Sequence, residues 1–241
     1  MDETFLFAAI VLFAASYLQS STGFGGAIFA MAFLPLFLTV TEAIAFVSAA
    51  SIIVTLLVVA FNHSGLSLRN AGPLCLGMIL GIPIGYFSLR QFDGNLVIRI
   101  LGVVLMAMAL AEFFQNRIKS LSIPKKAAVP FGLLGGVLAG AFNVGGPPLV
   151  AYVYSRNWSK VEIVAILQAV FIAGATTRNI LMAGAGEYTP RLLQLVGWAT
   201  PAAILAVWLG KLTLDRLPLP LLKKIVFSLI FAIGLKYVVF G

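Results

Sequence analysis

The sequence predicts an all-α polytopic membrane protein, and both the composition and the spacing of apolar blocks support this fold class. Of the 241 residues, 61% are hydrophobic and 10% are charged, and the mean hydropathy is +1.06. Soluble domains carry about 25% charged residues, so this chain lacks the polar side chains needed to cover a water-facing surface. Several apolar blocks approach the roughly 20 helical residues that cross a hydrocarbon core.

Ten apolar blocks follow one another along the chain, separated by short polar stretches. A membrane β-barrel would need apolar and polar residues to alternate over about ten positions, whereas these blocks are apolar on every face. Each block is therefore expected to be helical. The blocks occupy residues 5–20, 24–40, 43–61, 71–89, 96–114, 127–141, 147–154, 161–183, 192–212 and 219–240.

The charges of the chain indicate membrane topology and give no support for a nucleic-acid partner. The formal net charge is +8, but the basic residues are scattered among the loops between apolar blocks and form no single basic domain. Residues 1–4 carry no positive side chain, so the first block is expected to be mature structure and not a secretory signal. The expected surroundings are a lipid bilayer.

The two halves of the chain resemble each other, which predicts an internal repeat. Gly25-Gly26 and Gly145-Gly146 lie 120 residues apart, and at the same offset residues 39–42 match residues 159–162. Both tetrapeptides have the capping-box pattern of a hydroxyl residue followed three positions later by Glu. Past a short insertion in the second half the offset becomes 125. The predicted organisation is a membrane repeat of about five helical segments at 1–115, a linker at 116–126 and a second such repeat at 127–241.

The distribution of the 16 Lys and Arg residues distinguishes two arrangements of the chain. If each Gly-rich region is a break within one span, the basic residues divide 8 against 8 between the two sides; if the chain turns round at each break, they divide 11 against 5. The second arrangement follows the positive-inside rule. It gives each repeat an odd number of crossings, so the repeats are inverted, the linker is cytoplasmic and both termini are outside. Each break is then either a re-entrant hairpin or the junction of two full spans.

Two polar, Gly-rich breaks, at residues 19–27 and 140–148, interrupt the apolar regions near the predicted midplane. Irregular backbone at membrane depth must be satisfied by protein or by a wet cavity, so both breaks are expected to face an interior site. The helix that restarts after each break offers unpaired N–H groups and the positive end of its dipole, which favours an anion. The alternative is that the glycines only let helices pack closely.

Three short motifs accompany these breaks. They are Ser21-Thr22-Gly23-Phe24-Gly25-Gly26, then Gly135-Gly136, then Asn143-Val144-Gly145-Gly146-Pro147-Pro148. Together they resemble the TauE/SafE family of sulfite exporters, and the resemblance extends over nearly the whole chain, including the repeat. It implies a carrier of the bacterial inner membrane that moves small sulfur-containing anions such as sulfite or organosulfonates outward without ATP hydrolysis.

Two polar residues inside a later apolar block extend the predicted site. Arg178 can offer planar paired donors to a sulfonate or carboxylate, or it can snorkel to the membrane interface. Gln168 lies ten residues earlier, near the same helix face, and can contact the same anion or bridge helices. The predicted substrate-binding residues are Gln19, Ser20, Ser21, Thr22, Gly23, Phe24, Gly25, Gly26, Asn143, Val144, Gly145, Gly146, Pro147, Gln168 and Arg178.

The function expected from these features is a secondary transporter that exports sulfite, sulfoacetate or related organosulfonates by alternating access. An anion channel is the alternative, because the same helix ends can line a pore. The chain has no G-x-x-x-x-G-K-[ST] loop for ATP, and one His with one Cys cannot form a metal cage. The acidic residues form no pair for acid–base catalysis, so neither an enzyme nor a cofactor is expected. A coupling proton, for which His63 is a candidate sensor, and a homodimer remain open.

Overall fold

The computed structural model describes residues 3–62, 65–113, 123–213 and 219–240. Within these ranges it contains ten α-helices, two short 3₁₀ helices (Leu34–Leu36 and Lys125–Ala127) and no β-strand, which confirms the predicted fold class. The α-helices are α1 (Glu3–Thr22), α2 (Gly26–Phe33), α3 (Val40–Asn62), α4 (Leu68–Leu89), α5 (Gly94–Phe113), α6 (Ala128–Phe142), α7 (Gly146–Tyr154), α8 (Lys160–Gly184), α9 (Pro190–Thr213) and α10 (Leu219–Phe240).

Seven helices in the described part of the chain are long and apolar enough to cross a membrane. They are α1, α3, α4, α5, α6 with the 3₁₀ turn before it, α8 and α9. Large apolar side chains such as Ile180 and Trp198 are about two-thirds exposed on the outer surface, at 67% and 66%. Gln168 and Arg178 are buried inside the bundle. This distribution, with apolar groups outside and polar groups inside, is that of a protein whose outer surface contacts lipid.

The chain turns back on itself at each Gly-rich break. After the first break, α2 begins against the middle of α1, where a Cβ on Gly26 would clash with the Ala15 carbonyl, and Phe37 then returns to Phe7 with ring centroids 3.6 Å apart. After the second break, Tyr152 returns to Phe131 with centroids 5.9 Å apart. The returning helices α2 and α7 have eight and nine residues and are too short to span a core of roughly 30 Å.

The helices of the two halves pack in matching pairs. Helix α1 packs along α9 and α4 packs along α6; α4 also contacts α8, as α9 contacts α3. Two further pairs, α3 with α8 and α5 with α10, join helices at the same position of each half. Each helix of the first half corresponds to the helix five places later in the second half, as α1 does to α6. Replacing every helix in these contacts by its counterpart gives the same set of pairs.

Helices α3 and α8, which have the same position in the two halves, run antiparallel where they meet. Near the start of α3, the carbonyl of Ser48 accepts a 2.9 Å hydrogen bond from Asn179 Nδ2 near the end of α8. Beyond the other end of α3, Gly65 packs against Val161 at the start of α8. The two helices therefore run in opposite directions.

Helices α4 and α6 approach each other along two ridges of glycine spaced four residues apart. A Cβ at any of these positions would clash with a backbone atom of the opposite helix. Small residues are what allows membrane helices to come this close. At this contact the glycines therefore serve close helix packing, which is the alternative role named above for glycine. The glycines are Gly77, Gly81 and Gly85 on α4 and Gly132, Gly136 and Gly140 on α6.

The two predicted capping boxes are confirmed. Ser159 N–H donates to Glu162 Oε2 at 2.8 Å, and Glu162 N–H donates to Ser159 Oγ at 3.3 Å. Thr39 and Glu42 make the same two bonds at the start of α3, at 3.0 and 3.2 Å. Both glutamates thus serve as helix caps. His63 and residues 116–122 of the predicted linker lie outside the described residues.

Candidate functional site

The first break is a tight turn that depends on two glycines. Gly23 and Gly25 have φ angles of 84° and 93°, in the left-handed region that residues with a Cβ avoid. Thr22 stabilises the turn, because its Oγ1 donates to the Leu18 carbonyl at 2.8 Å and accepts from Phe24 N–H at 3.4 Å. Helix α2 follows with Gly25 as its N-cap and with no side chain capping its first N–H groups.

The second break uses Asn143 where the first uses glycine. Asn143 has φ 63° and is the one non-glycine residue with a positive φ in the described part of the chain, a conformation that Asn tolerates better than most residues. Helix α7 begins after Gly145, again without a side-chain cap, and Pro147 lies in its first turn. The two breaks therefore present two uncapped helix N-termini.

Each break is held by a polar side chain from the opposite half of the chain. Gln168 Nε2 donates to the Gly23 carbonyl at 2.8 Å, and Gln168 Oε1 accepts from Gln19 Nε2 at 3.3 Å. At the second break, Asn143 Nδ2 donates to Ser48 Oγ at 3.3 Å. Gln168 and Ser48 are 120 residues apart, and so are Asn143 and Gly23, which matches the repeat offset. Gln168 therefore acts in this structure as a bridge between helices.

A cavity lies between the two breaks and encloses about 560 Å³ of empty space, counting its mouth. The start of α2 and the start of α7 both border it. In the described part of the chain, no Asp, Glu or His lines this cavity, and its one charged side chain is Arg178. The lining residues are Gln19, Gly25, Ala27, Ile28, Ser51, Thr55, Met78, Ile82, Ala139, Asn143, Val144, Gly145, Gly146, Phe171, Gly174, Ala175 and Arg178.

Arg178 is the charged centre of the cavity. Its side chain is 1% exposed, and its Nε and Nη1 atoms are buried with no hydrogen-bond partner. An unpaired buried cation is costly, and an anion in the cavity would remove much of that cost. The arrangement of one guanidinium and two helix N-termini around a small apolar cavity favours binding of a compact oxyanion.

Arg178 also borders a second, larger cavity at the C-terminal end of α4, which encloses about 1350 Å³ with its opening. We call this the α4 C-terminal vestibule. It is lined by Arg178, Tyr86, Arg90 and Glu187 together with polar and apolar residues near the starts of α3 and α5 and the end of α10. Glu187 accepts a 2.7 Å hydrogen bond from the Tyr86 hydroxyl and forms an ion pair with Arg90. Arg178 thus lies between the small cavity and this vestibule.

The loop between α8 and α9 supports the helix that carries Arg178. The hydroxyl of Tyr188 donates to Asn179 Oδ1, next to Arg178. The pKa of Tyr188 is raised to about 12, mainly by burial; the Arg178 guanidinium acts to lower this pKa and the Glu187 carboxylate acts to raise it. The Tyr188 hydroxyl therefore stays protonated at neutral pH and remains a donor to Asn179.

The structure brings only part of the predicted binding set to the cavity. Seven predicted residues line it: Gln19, Gly25, Asn143, Val144, Gly145, Gly146 and Arg178. The others lie in the surrounding scaffold. The Ser20 hydroxyl donates to the Val207 carbonyl of α9, the Ser21 and Thr22 hydroxyls donate to the Leu18 carbonyl, and the Gly23 carbonyl accepts from Gln168. Gly26 packs on Ala15, and Phe24 and Pro147 line a separate apolar cavity.

The sequence reasoning did not single out the walls of the cavity on α3, α4 and α8. Ser51 and Thr55 of α3 line it, and their spacing of four residues on one helix face was a usable signal. Gly174 and Ala175 of α8 also line it, about one turn before Arg178, and Gly174 packs against Met78. Met78 and Ile82 complete the wall, and nothing in their sequence context separates them from ordinary core residues.

Comparison with known proteins agrees with a membrane-spanning transporter. The family model described as sulfite exporter TauE/SafE matches residues 8–237. A probable sulfite/organosulfonate exporter TauE of Cupriavidus necator is 24% identical, over 93% of this chain and 90% of that protein. A probable inner membrane transporter protein TsaS of Comamonas testosteroni is 26% identical, over 72% of this chain and 75% of that protein. No solved structure gives a significant match.

The family match covers nearly the whole chain, and the helices provide the membrane spans that such a protein requires. The chain is accordingly a transporter and not an enzyme, and it is a multi-pass protein of the bacterial inner membrane. It belongs to the sulfite exporter TauE/SafE family.

Proposed function

We propose that this chain is a secondary transporter that exports sulfite, sulfoacetate or a related organosulfonate, and that the anion binds between α2, α7 and Arg178. The observation that carries the proposal is the buried Arg178 guanidinium, whose Nε and Nη1 lack partners beside a cavity bordered by two uncapped helix N-termini. A guanidinium and backbone N–H groups are the donors that proteins use for sulfonate-like oxyanions.

The size and polarity of the cavity support a small substrate. Its wall combines the polar side chains of Ser51, Thr55 and Asn143 with the apolar side chains of Ile28, Phe171 and others. An organosulfonate has both a charged head and a short carbon chain, so it can use both kinds of wall. The printed name of the relative from Cupriavidus necator, a probable sulfite/organosulfonate exporter, supports the same substrate class.

An inverted repeat that alternates access is the second part of the proposal. It is supported by the matching of helix pairs between the two halves and by the antiparallel course of α3 and α8. In carriers of this design the substrate site lies near the midplane where the repeats meet, and one repeat rocks against the other. The two breaks come from different repeats and share one cavity, as this design requires.

The expected orientation of the chain suggests which side each vestibule faces. The division of Lys and Arg favours an arrangement with the start of α4 on the cytoplasmic side and its end outside. The α4 C-terminal vestibule would then be the exit side for an anion released from Arg178. Proton coupling and a homodimer stay predictions from the sequence.

Purified protein in liposomes tests this function. Uptake of sulfite, sulfoacetate, taurine and acetate is measured with and without a pH gradient, and labelled sulfoacetate is followed in counterflow against an internal pool of unlabelled sulfoacetate. We expect saturable uptake of the sulfur oxyanions and counterflow, which a carrier shows. Large single-molecule currents without counterflow would identify an anion channel, and no flux of any anion would contradict the proposed function.

A further inference from the structure

A fourth cavity, which is basic, lies at the opposite end of α4 from the α4 C-terminal vestibule. It encloses about 1100 Å³ with its opening and is formed by the start of α4, the start of α6 and the segment that follows α7. We call it the basic vestibule. Its lining residues are Ser67, Arg69, Asn70, Pro73, Lys125, Ala128, Tyr152, Arg156 and Trp158.

Arg156 is held in a defined position in the basic vestibule, with hydrogen-bonding capacity unused. Its guanidinium stacks over the Tyr152 ring at 4.2 Å from the centroid, and Tyr152 is fixed by a 3.2 Å hydrogen bond from its hydroxyl to the Lys125 carbonyl. The Nε and Nη2 atoms of Arg156 are buried and have no hydrogen-bond partner. A pre-positioned guanidinium of this kind loses little entropy when it binds an oxyanion.

Three cations and no carboxylate line the basic vestibule among the described residues. Arg69 and Lys125 are exposed at its rim, and Arg156 lies deeper. Like charges that share a cavity repel each other and raise the local concentration of anions. An oxyanion in the vestibule would relieve this repulsion and satisfy the free nitrogens of Arg156.

The fold itself does not require these cations. At the repeat offsets of 120 and 125 residues, Arg156 corresponds to Leu36, Lys125 to Phe5 and Arg69 to Gln194. The equivalent face of the other half therefore has none of the three charges. The basic vestibule is therefore present at one opening of the transporter and has no basic equivalent at the corresponding face of the other half.

We propose that the basic vestibule is a second oxyanion-binding site, which collects the substrate anion on the cytoplasmic side before the anion reaches Arg178. The identity of the anion as a sulfur oxyanion rests on the proposed function. The site itself rests on Arg156, Lys125 and Arg69, which are separate from the cavity of Arg178.

Trp158 provides a direct readout of this site, because it lines the basic vestibule with its ring centroid 6.4 Å from that of Tyr152. The other two tryptophans, Trp198 and Trp208, are exposed on the outer surface and are replaced by Phe. The fluorescence of Trp158 in this full-length protein is then titrated with sulfoacetate in nanodiscs of zwitterionic phosphatidylcholine. We expect a saturable change.

Charge variants locate the binding. Arg156→Gln is expected to weaken the sulfoacetate titration about tenfold or more, because it removes a charge-assisted donor. The matched control is Lys126→Gln, since Lys126 is the exposed neighbour of Lys125 and lies outside the vestibule lining; it is expected to leave the titration unchanged. Arg178→Gln, in the other cavity, is also expected to leave the Trp158 titration intact.

The outcomes separate this inference from the proposed function. No saturable change, or a titration that Arg156→Gln leaves unaltered, overturns the second site even if the liposomes transport sulfoacetate. A normal titration in a protein that shows no flux supports the second site and counts against the proposed function alone. A signal that responds to added phosphatidylglycerol and not to sulfoacetate overturns the substrate assignment, because the vestibule would then bind a lipid headgroup.

Discussion

The amide nitrogen of Gln168 donates a 2.8 Å hydrogen bond to the carbonyl of Gly23, which lies 145 residues earlier in the chain. This bond joins the middle of α8 to the first break, and the bond from Asn143 to Ser48 joins the second break to α3 in the corresponding way. The shape of the cavity between the two breaks therefore depends on contacts in which each half holds the break of the other. A substrate site in this cavity, as proposed above, would respond to any movement between the halves.

Removing this bond should disturb the site without removing a residue that lines it. Gln168→Leu leaves the Gly23 carbonyl buried without its partner, so we expect a loss of about 1 kcal/mol in stability and weaker sulfoacetate binding. Thermal unfolding in detergent and a binding titration measure the two effects. Gln194→Leu is the matched control, because Gln194 is exposed on α9. Equal behaviour of the two variants would mean that the Gln168 bond is unimportant.

The glycine ridge between α4 and α6 gives a prediction about packing. A Cβ at Gly85 would clash with the Val137 carbonyl, so Gly85→Ala must push the helices apart and should destabilise the protein by about 1–3 kcal/mol. Gly72 lies on the same helix with no atom within 4 Å of the corresponding Cβ. Gly72→Ala should therefore be neutral or slightly stabilising. Melting temperatures of the two variants decide this, and a Gly85→Ala protein as stable as Gly72→Ala would contradict the packing.

The carboxylate of Glu187 should oppose anion binding. It lies in the α4 C-terminal vestibule with Arg178 and is paired with Arg90, whose side chain is 46% exposed. Because the Gln side chain keeps an oxygen that can accept from the Tyr86 hydroxyl, and the Arg90 partner is half-exposed, Glu187→Gln should change stability by about 1 kcal/mol or less. It should also strengthen sulfoacetate binding by about twofold to fivefold at low salt, and less at high salt.

Glu3→Gln is the control for this charge change, since Glu3 is exposed at the start of α1 and lies outside the vestibule lining. Binding is measured by titration at two salt concentrations. Weaker binding in Glu187→Gln, or equal strengthening in both variants, would show that the vestibule charge does not act on the anion.

Local signals in the sequence were sufficient for the fold class, the breaks and the caps. Apolar block length determines which helices can span a bilayer, and the hydroxyl and glutamate of each capping box lie within four residues of each other. The turns also have local causes, because glycine at positions 23 and 25 and Asn at 143 suit positive φ angles. None of these features needs information about distant parts of the chain.

The roles of Gln168 and Arg178 show where sequence reasoning reached its limit. The two residues are ten positions apart, which is about 80° short of three full helical turns. That rotation is enough to point Gln168 at the Gly23 carbonyl and Arg178 into the cavity. The neighbours that make this distinction belong to α1 and α4, so only tertiary packing reveals it. The glycine ridge on α4 did carry a local signal, its spacing of four residues, that the prediction did not use.

The anion affinity of an Arg178 variant tests the central claim most directly. Sulfoacetate binding to the small cavity is measured by calorimetry in three proteins that all carry Arg156→Gln, so that the basic vestibule contributes little. They are Arg156→Gln alone and the same protein with Arg178→Gln or Thr176→Ala added. Thr176 is exposed on the same helix and serves as the control. We predict at least about a tenfold loss for Arg178→Gln, with no loss of thermal stability, since an unpaired buried charge is removed. Unchanged affinity in a folded Arg178→Gln protein would contradict the account.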